Sequence, residues 1–414
     1  MNIISRSGFL LMLLVAGHST SVLADEYHYN NMLIGDRASG MGGAYTAVSD
    51  DATGMFYNPA AIVYVGDRNF SASVNAYYNQ TKKYENVIGN QPYVRNSSAL
   101  LANFFGIVKP LGNFKVGLSY AVPDAVSEDQ NQSFSNVNSA VSRFTINLNN
   151  RDTTYNIGPS IAAEVNSDLS IGLTLYAHQR NVQVIVNQFQ ERTDTTRLWV
   201  NKYYKLSETG IRPILGVMWS PVEKLSLGLS LSQTVVFTST AQNQDTCWSS
   251  TAGDCVATAT VPSLQTPFLT DINAKRKYPV RVTVGAAFFP SSNLLVSGDM
   301  TYNTAVTDPY FGNKVGTLNL ALGSEYYLNR SWAVRAGAYT NRANTPNIQA
   351  GVTSIEEQID LYGVSLSITN FSGGSSVTLG TSVNYGKGKA QLLSDSSVQS
   401  ASTLGYLIFL SSSY

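Results

Sequence analysis

The 414-residue chain carries 27 Lys+Arg against 27 Asp+Glu, a net charge of zero, and only 13% of its residues are charged, where soluble domains average roughly 25%. Neutrality removes the field that would hold a nucleic acid, and no apolar run beyond the N-terminus is long enough for a membrane-spanning helix. Tyr (24) and Gly (32) are abundant instead, a mixture that suits strands and turns.

In chain order, residues 1–24 read as a secretory signal. Arg6 supplies the positive end, Phe9 to Val15 an apolar core too short to span a bilayer, and Val22-Leu23-Ala24 a small-residue cleavage site. The mature chain is expected to begin at Asp25. Residues 34–61 follow without strand-like alternation. Gly40, Gly42 and Gly43 mimic a nucleotide-binding fingerprint, but no hydrophobic strand precedes them and an exported protein meets no nucleotide pool. Clustered glycines also permit close backbone approach, and Asn58-Pro59 marks a turn. Three units are therefore expected: a signal peptide (1–24), a compact segment (25–66) that folds inward as a plug, and a β-barrel (67–414).

From residue 68 onward the dominant signal is period-two alternation, clearest at Leu225-Ser226-Leu227-Gly228-Leu229-Ser230-Leu231-Ser232. About fourteen strands are expected, at 68–78, 99–110, 113–123, 153–165, 168–184, 204–220, 224–238, 278–290, 293–302, 316–327, 331–339, 360–370, 375–387 and 403–414. Six connections are tight: 110–113, 166–168, 220–223, 290–293, 329–330 and 370–374. The other seven are long and polar. Tight and long connections alternate, as in an up-and-down transmembrane barrel with both termini on the short-turn, periplasmic side. Phe114, Trp219, Phe288, Tyr326 and Trp332 cluster near the tight turns, where an interfacial girdle would lie. A soluble β-sandwich also alternates, but one soluble core rarely needs so many two-faced strands with so few charges.

Pro123 either ends the third strand at the rim or breaks the barrel wall as a lateral gate, because Pro removes a ladder donor. Cys247 and Cys255 are expected to form a local disulfide in an oxidising compartment. Lys275-Arg276-Lys277 is expected in solvent or against lipopolysaccharide phosphates. The alternation turns Arg281, Asp299, Glu325 and Arg335 inward on four consecutive strands. They either pair with one another as a structural ladder or contact substrate, Arg281 or Arg335 binding a substrate carboxylate or holding the plug through Asp50 or Asp51. His28 and His178 lie in no catalytic or metal spacing, so no catalytic residue, metal or cofactor is expected; a hydrolase using an inward His178 is the enzymatic alternative.

Ser39-Gly40-Met41-Gly42-Gly43-Ala44-Tyr45, the pair Asp50-Asp51 with Ala52, and Asn58-Pro59-Ala60 resemble the N-terminal hatch of the FadL/TodX type of outer-membrane transporters. Weaker likeness continues through residues 278–285, 299–302, 335–337 and 360–363. The resemblance implies an all-β, fourteen-stranded, monomeric barrel in the outer membrane of a Gram-negative bacterium, plugged by a hatch. It implies passive uptake of long-chain fatty acids or aromatic hydrocarbons by lateral release. The final strand, ending on Tyr414, resembles the signal read by the barrel-assembly machinery. An apolar pocket between barrel and hatch would hold the ligand out of water at about 25 cal/mol per Å². A secretion scaffold or shuttle, which would have a sealed lumen, and a non-specific porin, which would have an open charged one, are the alternatives.

Overall fold

The computed structural model describes residues 26–66, 70–251, 254–255, 263–272, 274–352, 356–392 and 397–414; the expected signal peptide, Asp25 and Arg68 lie outside the described residues. The alternating stretches join into one antiparallel sheet. Its strands are β1 (Phe70–Ile88), β2 (Gln91–Leu111), β3 (Phe114–Ser135), β4 (Val141–Glu164), β5 (Leu169–Arg192) and β6 (Arg197–Val222). Two broken strands follow: β7 (Leu225–Ser232 and Val235–Ser249) and β8 (Ser263–Ile272 and Arg281–Ser291). Both halves of β7 pair with β6, and each half of β8 pairs with the matching half of β7. The sheet continues through β9 (Leu294–Asn303), β10 (Thr317–Asn329), β11 (Trp332–Asn341), β12 (Glu357–Ser372), β13 (Ser375–Ala390) and β14 (Gln399–Ser413). β14 pairs back onto β1, so the sheet is a closed barrel of fourteen strands. Closure leaves no edge, which is what permits a sheet to stand in lipid.

All fourteen expected strands are present, with different ends. The tight turns fall where the sequence places them, for example at Gly112-Asn113 and Gly373-Gly374, whose glycines adopt positive φ (59°, 56° and 86°). At the opposite end, three of the seven connections expected to be long are short. Residues 79–98 form the ends of β1 and β2 joined by a turn at Gly89-Asn90, and β3 to β6 run on to short connections at 136–140 and 193–196. Polar composition there marks strands leaving the membrane, not loops. Tyr414 closes the barrel at the tight-turn end, where its N–H and C=O pair with Phe70 (3.0 and 2.9 Å).

Outward residues such as Ile171, Leu229, Leu322 and Leu366 form an exposed apolar belt, as a lipid-facing band requires. Phe114, Trp219, Phe288, Tyr326 and Trp332 are all exposed near its tight-turn rim, and Tyr302, Tyr362, Tyr385 and Tyr406 near its other rim. Beyond that second rim the strands of β1 to β7 continue, and Phe144, Ile146, Leu148, Val182, Val184 and Val186 point inward into a dry cluster with Tyr84, Phe134 and Leu206. Cys247 and Cys255 form a disulfide in this far region, with a Cα–Cα distance of 5.6 Å.

Candidate functional site

Residues 26–66 lie inside the barrel. Their backbone carbonyls at Leu33, Val65, Ala60 and Gly40 accept hydrogen bonds from Asn103 on β2, Lys115 on β3, Ser170 on β5 and Ser365 on β12 (2.9, 2.8, 3.0 and 3.0 Å). Only a segment within the lumen reaches such dispersed strands. Two short helices, α1 (Asp36–Gly40) and α2 (Gly54–Tyr57), precede a 3₁₀ turn at Pro59–Tyr64. Gly42 and Gly43 take positive φ (66° and 83°) after α1, and a side chain at Gly42 would strike the β11 backbone at Ala338. Glycine is therefore needed on both counts. The wall reciprocates: Gly172, Gly216, Gly228, Gly285, Gly323 and Gly337 are the points where the segment lies directly against β5, β6, β7, β8, β10 and β11.

Asn58 is the knot of this arrangement. Its Nδ2 donates to Thr46 O (2.8 Å) and to Val217 O on β6 (3.0 Å), while its Oδ1 accepts from Ala60 N (3.2 Å) and caps the 3₁₀ turn. Pro59 opens that turn, where a missing N–H costs nothing, and Ala60 is packed at 0% exposure against Met218.

Of the four inward charges, only Glu325 and Arg335 pair with each other (3.0 Å). Glu325 also binds Arg37 of the segment (2.6 Å), and Asp299 accepts the backbone N–H groups of Tyr45 and Thr46 (3.0 and 2.9 Å). The expected polarity of the latch is thus reversed, with the wall supplying the acids. Asp50 pairs with Arg37 within the segment, and Asp51 accepts from Tyr45 Oη (2.8 Å) and Thr53 N (2.8 Å). Burial holds the Asp51 carboxyl above its ordinary value despite those bonds. Against a burial that favours the neutral form, Asp50 and Glu325 hold the Arg37 guanidinium above its usual value.

Above the segment lie two adjoining cavities of about 160 and 60 Å³, both bordered by Tyr29, Pro123, Arg212 and Arg281. Arg281 forms no ion pair among the described residues, and neither does Arg212, whose guanidinium sits 5.0 Å from the Phe56 ring centroid. The larger cavity is roofed by a buried ion network. Arg180 binds Asp152 (2.5 Å) and Glu26 (3.0 Å), and Arg276 binds Glu26 (2.7 Å) and Glu208 (3.1 Å). Tyr278 donates to Glu208 (3.0 Å) and meets His178 edge-on. Two expectations change here. The lining is apolar over the larger part of its surface but carries charged side chains that were not expected there, and Arg276 is buried rather than solvated with its neighbours, because β8 breaks and residues 274–280 dip into the lumen. The network was legible in the inward phase of Asn150-Asp152-Thr154 on β4 and His178-Arg180 on β5, where charge interrupts the alternation. Among the described residues no cluster of His, Cys, Asp and Glu is placed to hold a metal ion.

Pro123 does not end β3, which runs on to Ser135. It sits beside a parting of the wall. β2 and β3 pair at Phe104↔Ala121 and again at Ser97↔Glu128, in one register, with no ladder pairs between, and the β3–β4 register shifts between Ala121 and Asp124. An apolar cluster of Met32, Val122 and Ala125, packed by Leu101 and Tyr120, fills the gap.

The profile of the family described as "Outer membrane protein transport protein (OMPP1/FadL/TodX)" matches residues 18–288. No curated protein matches the chain in sequence. Among solved structures, a Pseudomonas aeruginosa FadL homologue aligns at 16% identity with a TM-score of 0.68, covering 94% of this chain and 99% of its own. The toluene transporter TodX of P. putida aligns at 13% identity and 0.60, over 94% and 99%. The toluene transporter TbuX of Ralstonia pickettii does so at 15% and 0.56, over 93% and 99%.

Proposed function

Because the chain belongs to the OMPP1/FadL/TodX family of outer-membrane transport proteins, we propose that it admits compact hydrophobic molecules bearing an anionic end, and that residues 26–66 are its hatch. Uptake of hydrophobic compounds across the outer membrane is the family's role; the acidic end, the lateral route and the orientation are this chain's reading. The observation that carries it is the pair Arg212 and Arg281. Among the described residues neither partly buried guanidinium makes a contact ion pair, Asp299 acting on Arg281 only from beyond contact distance, and two such cations on one cavity favour an anionic ligand. At about 160 Å³ the larger cavity is close to the roughly 150 Å³ that holds a benzene ring. An aryl or short alkyl carboxylate fits without rearrangement, whereas a long acyl chain needs the neighbouring space as well.

In this reading the tight-turn end and the C-terminal Tyr414 face the periplasm and the dry cluster of the far half faces the exterior, whereas Glu26 lies within the lumen at the roof of the cavity and not at the periplasmic end expected for both termini. The hatch blocks the axis through Asn58, Arg37 and Asp299, so the ligand leaves sideways, through the β2–β3 parting at Pro123. Apolar Met32, Val122, Ala125 and Leu101 line that exit, and the ligand slides into lipid without crossing an aqueous channel.

The test is uptake of the radiolabelled 4-butylbenzoate anion and of butylbenzene by a deletion strain carrying wild type, Arg212→Ala or Arg281→Ala. Each substitution is expected to lower benzoate uptake about tenfold, the equivalent of roughly 1.4 kcal/mol, and to leave the hydrocarbon unchanged. Equal loss of both, or of neither, contradicts the acidic-end reading.

A further inference from the structure

The wall parts a second time. On the side of β7 that faces β8, ladder pairing stops after Ser232↔Arg281 and resumes at Ala241↔Ile272. Between them the one bridge among the described residues is Val235↔Lys277. Residues 274–280 have left the sheet, and the amide of Gln233 donates to Tyr278 O (3.1 Å) across the breach. The breach has three further properties. Gln233, Thr234, Lys277 and Pro279 line the same cavity that reaches Pro123. Its outer lips are apolar and exposed: Leu231 (40%), Val235 (42%) and Phe237 (49%). Finally, unpaired backbone at the level of a lipid-facing belt is tolerated only where it borders a cavity, since hydrocarbon satisfies no N–H or C=O group.

We propose that the β7–β8 breach is a second lateral port for the hydrophobic ligand, closed here by the Gln233–Tyr278 bond, so that the cavity lies between two side openings. The proposal rests on the transport reading above. One port on each side lets a molecule enter from the lipid-facing or rim region at β7–β8 and leave at β2–β3 without passing the dry cluster of the far half or the hatch below. The Gln233 bond and the single bridge are what must yield. One neutral hydrogen bond is worth about 1 kcal/mol net, a barrier thermal motion crosses readily.

The experiment uses thiol blocking after folding, which is specific because the chain's two cysteines are joined to each other. Leu100→Cys beside the β2–β3 parting, Thr234→Cys in the β7–β8 breach and Leu322→Cys on the lipid belt are each coupled to a bulky maleimide in nanodiscs. Exchange of the bound radiolabelled 4-butylbenzoate anion against the unlabelled anion is then timed. Label at Leu100 or at Thr234 alone, which leaves the other port open, is expected to slow exchange about twofold relative to label at Leu322, label at both about tenfold, and Gln233→Ala to speed it. Exchange at Thr234 equal to that at Leu322 overturns the second port, whatever Leu100 does. Failure of the unlabelled protein to bind the probe overturns the transport reading itself and the port with it.

Discussion

Along β5 the same two-residue period carries opposite chemistry at its two ends. From Leu169 to Leu175 the outward residues are Leu, Ile, Leu and Leu, and Ser170, Gly172 and Thr174 face in; from Asn181 to Asn187 the outward residues are Asn, Gln, Ile and Asn, and Val182, Val184 and Val186 face in. The register with β6 is unbroken throughout, so no bulge turns the faces over. What changes is the surroundings. Lipid bathes the first half and water the second, and the interior answers with polar filling beneath the belt and an apolar core beyond it. Between the halves, where Asp152, His178 and Arg180 leave both faces polar, sits the cavity.

Substitution tests this inversion directly. Val184→Asp places an unpaired carboxylate in the dry far cluster and is expected to cost about 3–5 kcal/mol, read as a fall in the urea midpoint of heat-modifiable gel mobility. Leu173→Arg, on the lipid face of the other half, is expected to cost about 2–4 kcal/mol in the same assay. Asn58→Ala removes one cap and two ties of the hatch. Barrel stability should fall by about 1–2 kcal/mol, and protease cleavage between residues 26 and 66 should become detectable while the barrel stays intact. Gln183→Asp, one residue from Val184 but facing water, should stay within about 0.5 kcal/mol of wild type. Equal costs at 183 and 184 would erase the distinction between the halves.

The strands of the membrane half were legible because lipid outside and small polar residues inside make alternation visible. The far half is hard to see in sequence because Asn147, Asn149, Asn181 and Gln183 are turn-prone residues whose polarity hides a period whose apolar members point inward. The segment 25–66 was legible from its glycines and Asn58-Pro59, since close approach and capping are local demands. The cavity was not. Arg276 reaches it only because β8 breaks, Glu26 because the segment threads the lumen, and Arg212 meets Arg281 across β7, where Ile214 and Arg281 both pair with Ser232. The pairing of Arg37 with Glu325 likewise joins positions that no local pattern connects.

Lateral passage at Pro123 is the central claim, and filling the gap tests it most directly. Ala125 is buried among Met32, Val122 and Leu101 where β2 and β3 part, so Ala125→Trp occupies the exit without touching Arg212 or Arg281. Uptake of the radiolabelled 4-butylbenzoate anion by cells carrying this variant, at wild-type levels of heat-modifiable barrel, is the measurement. Loss of uptake to the level of the deletion strain is the predicted result; uptake at the wild-type rate would contradict the account.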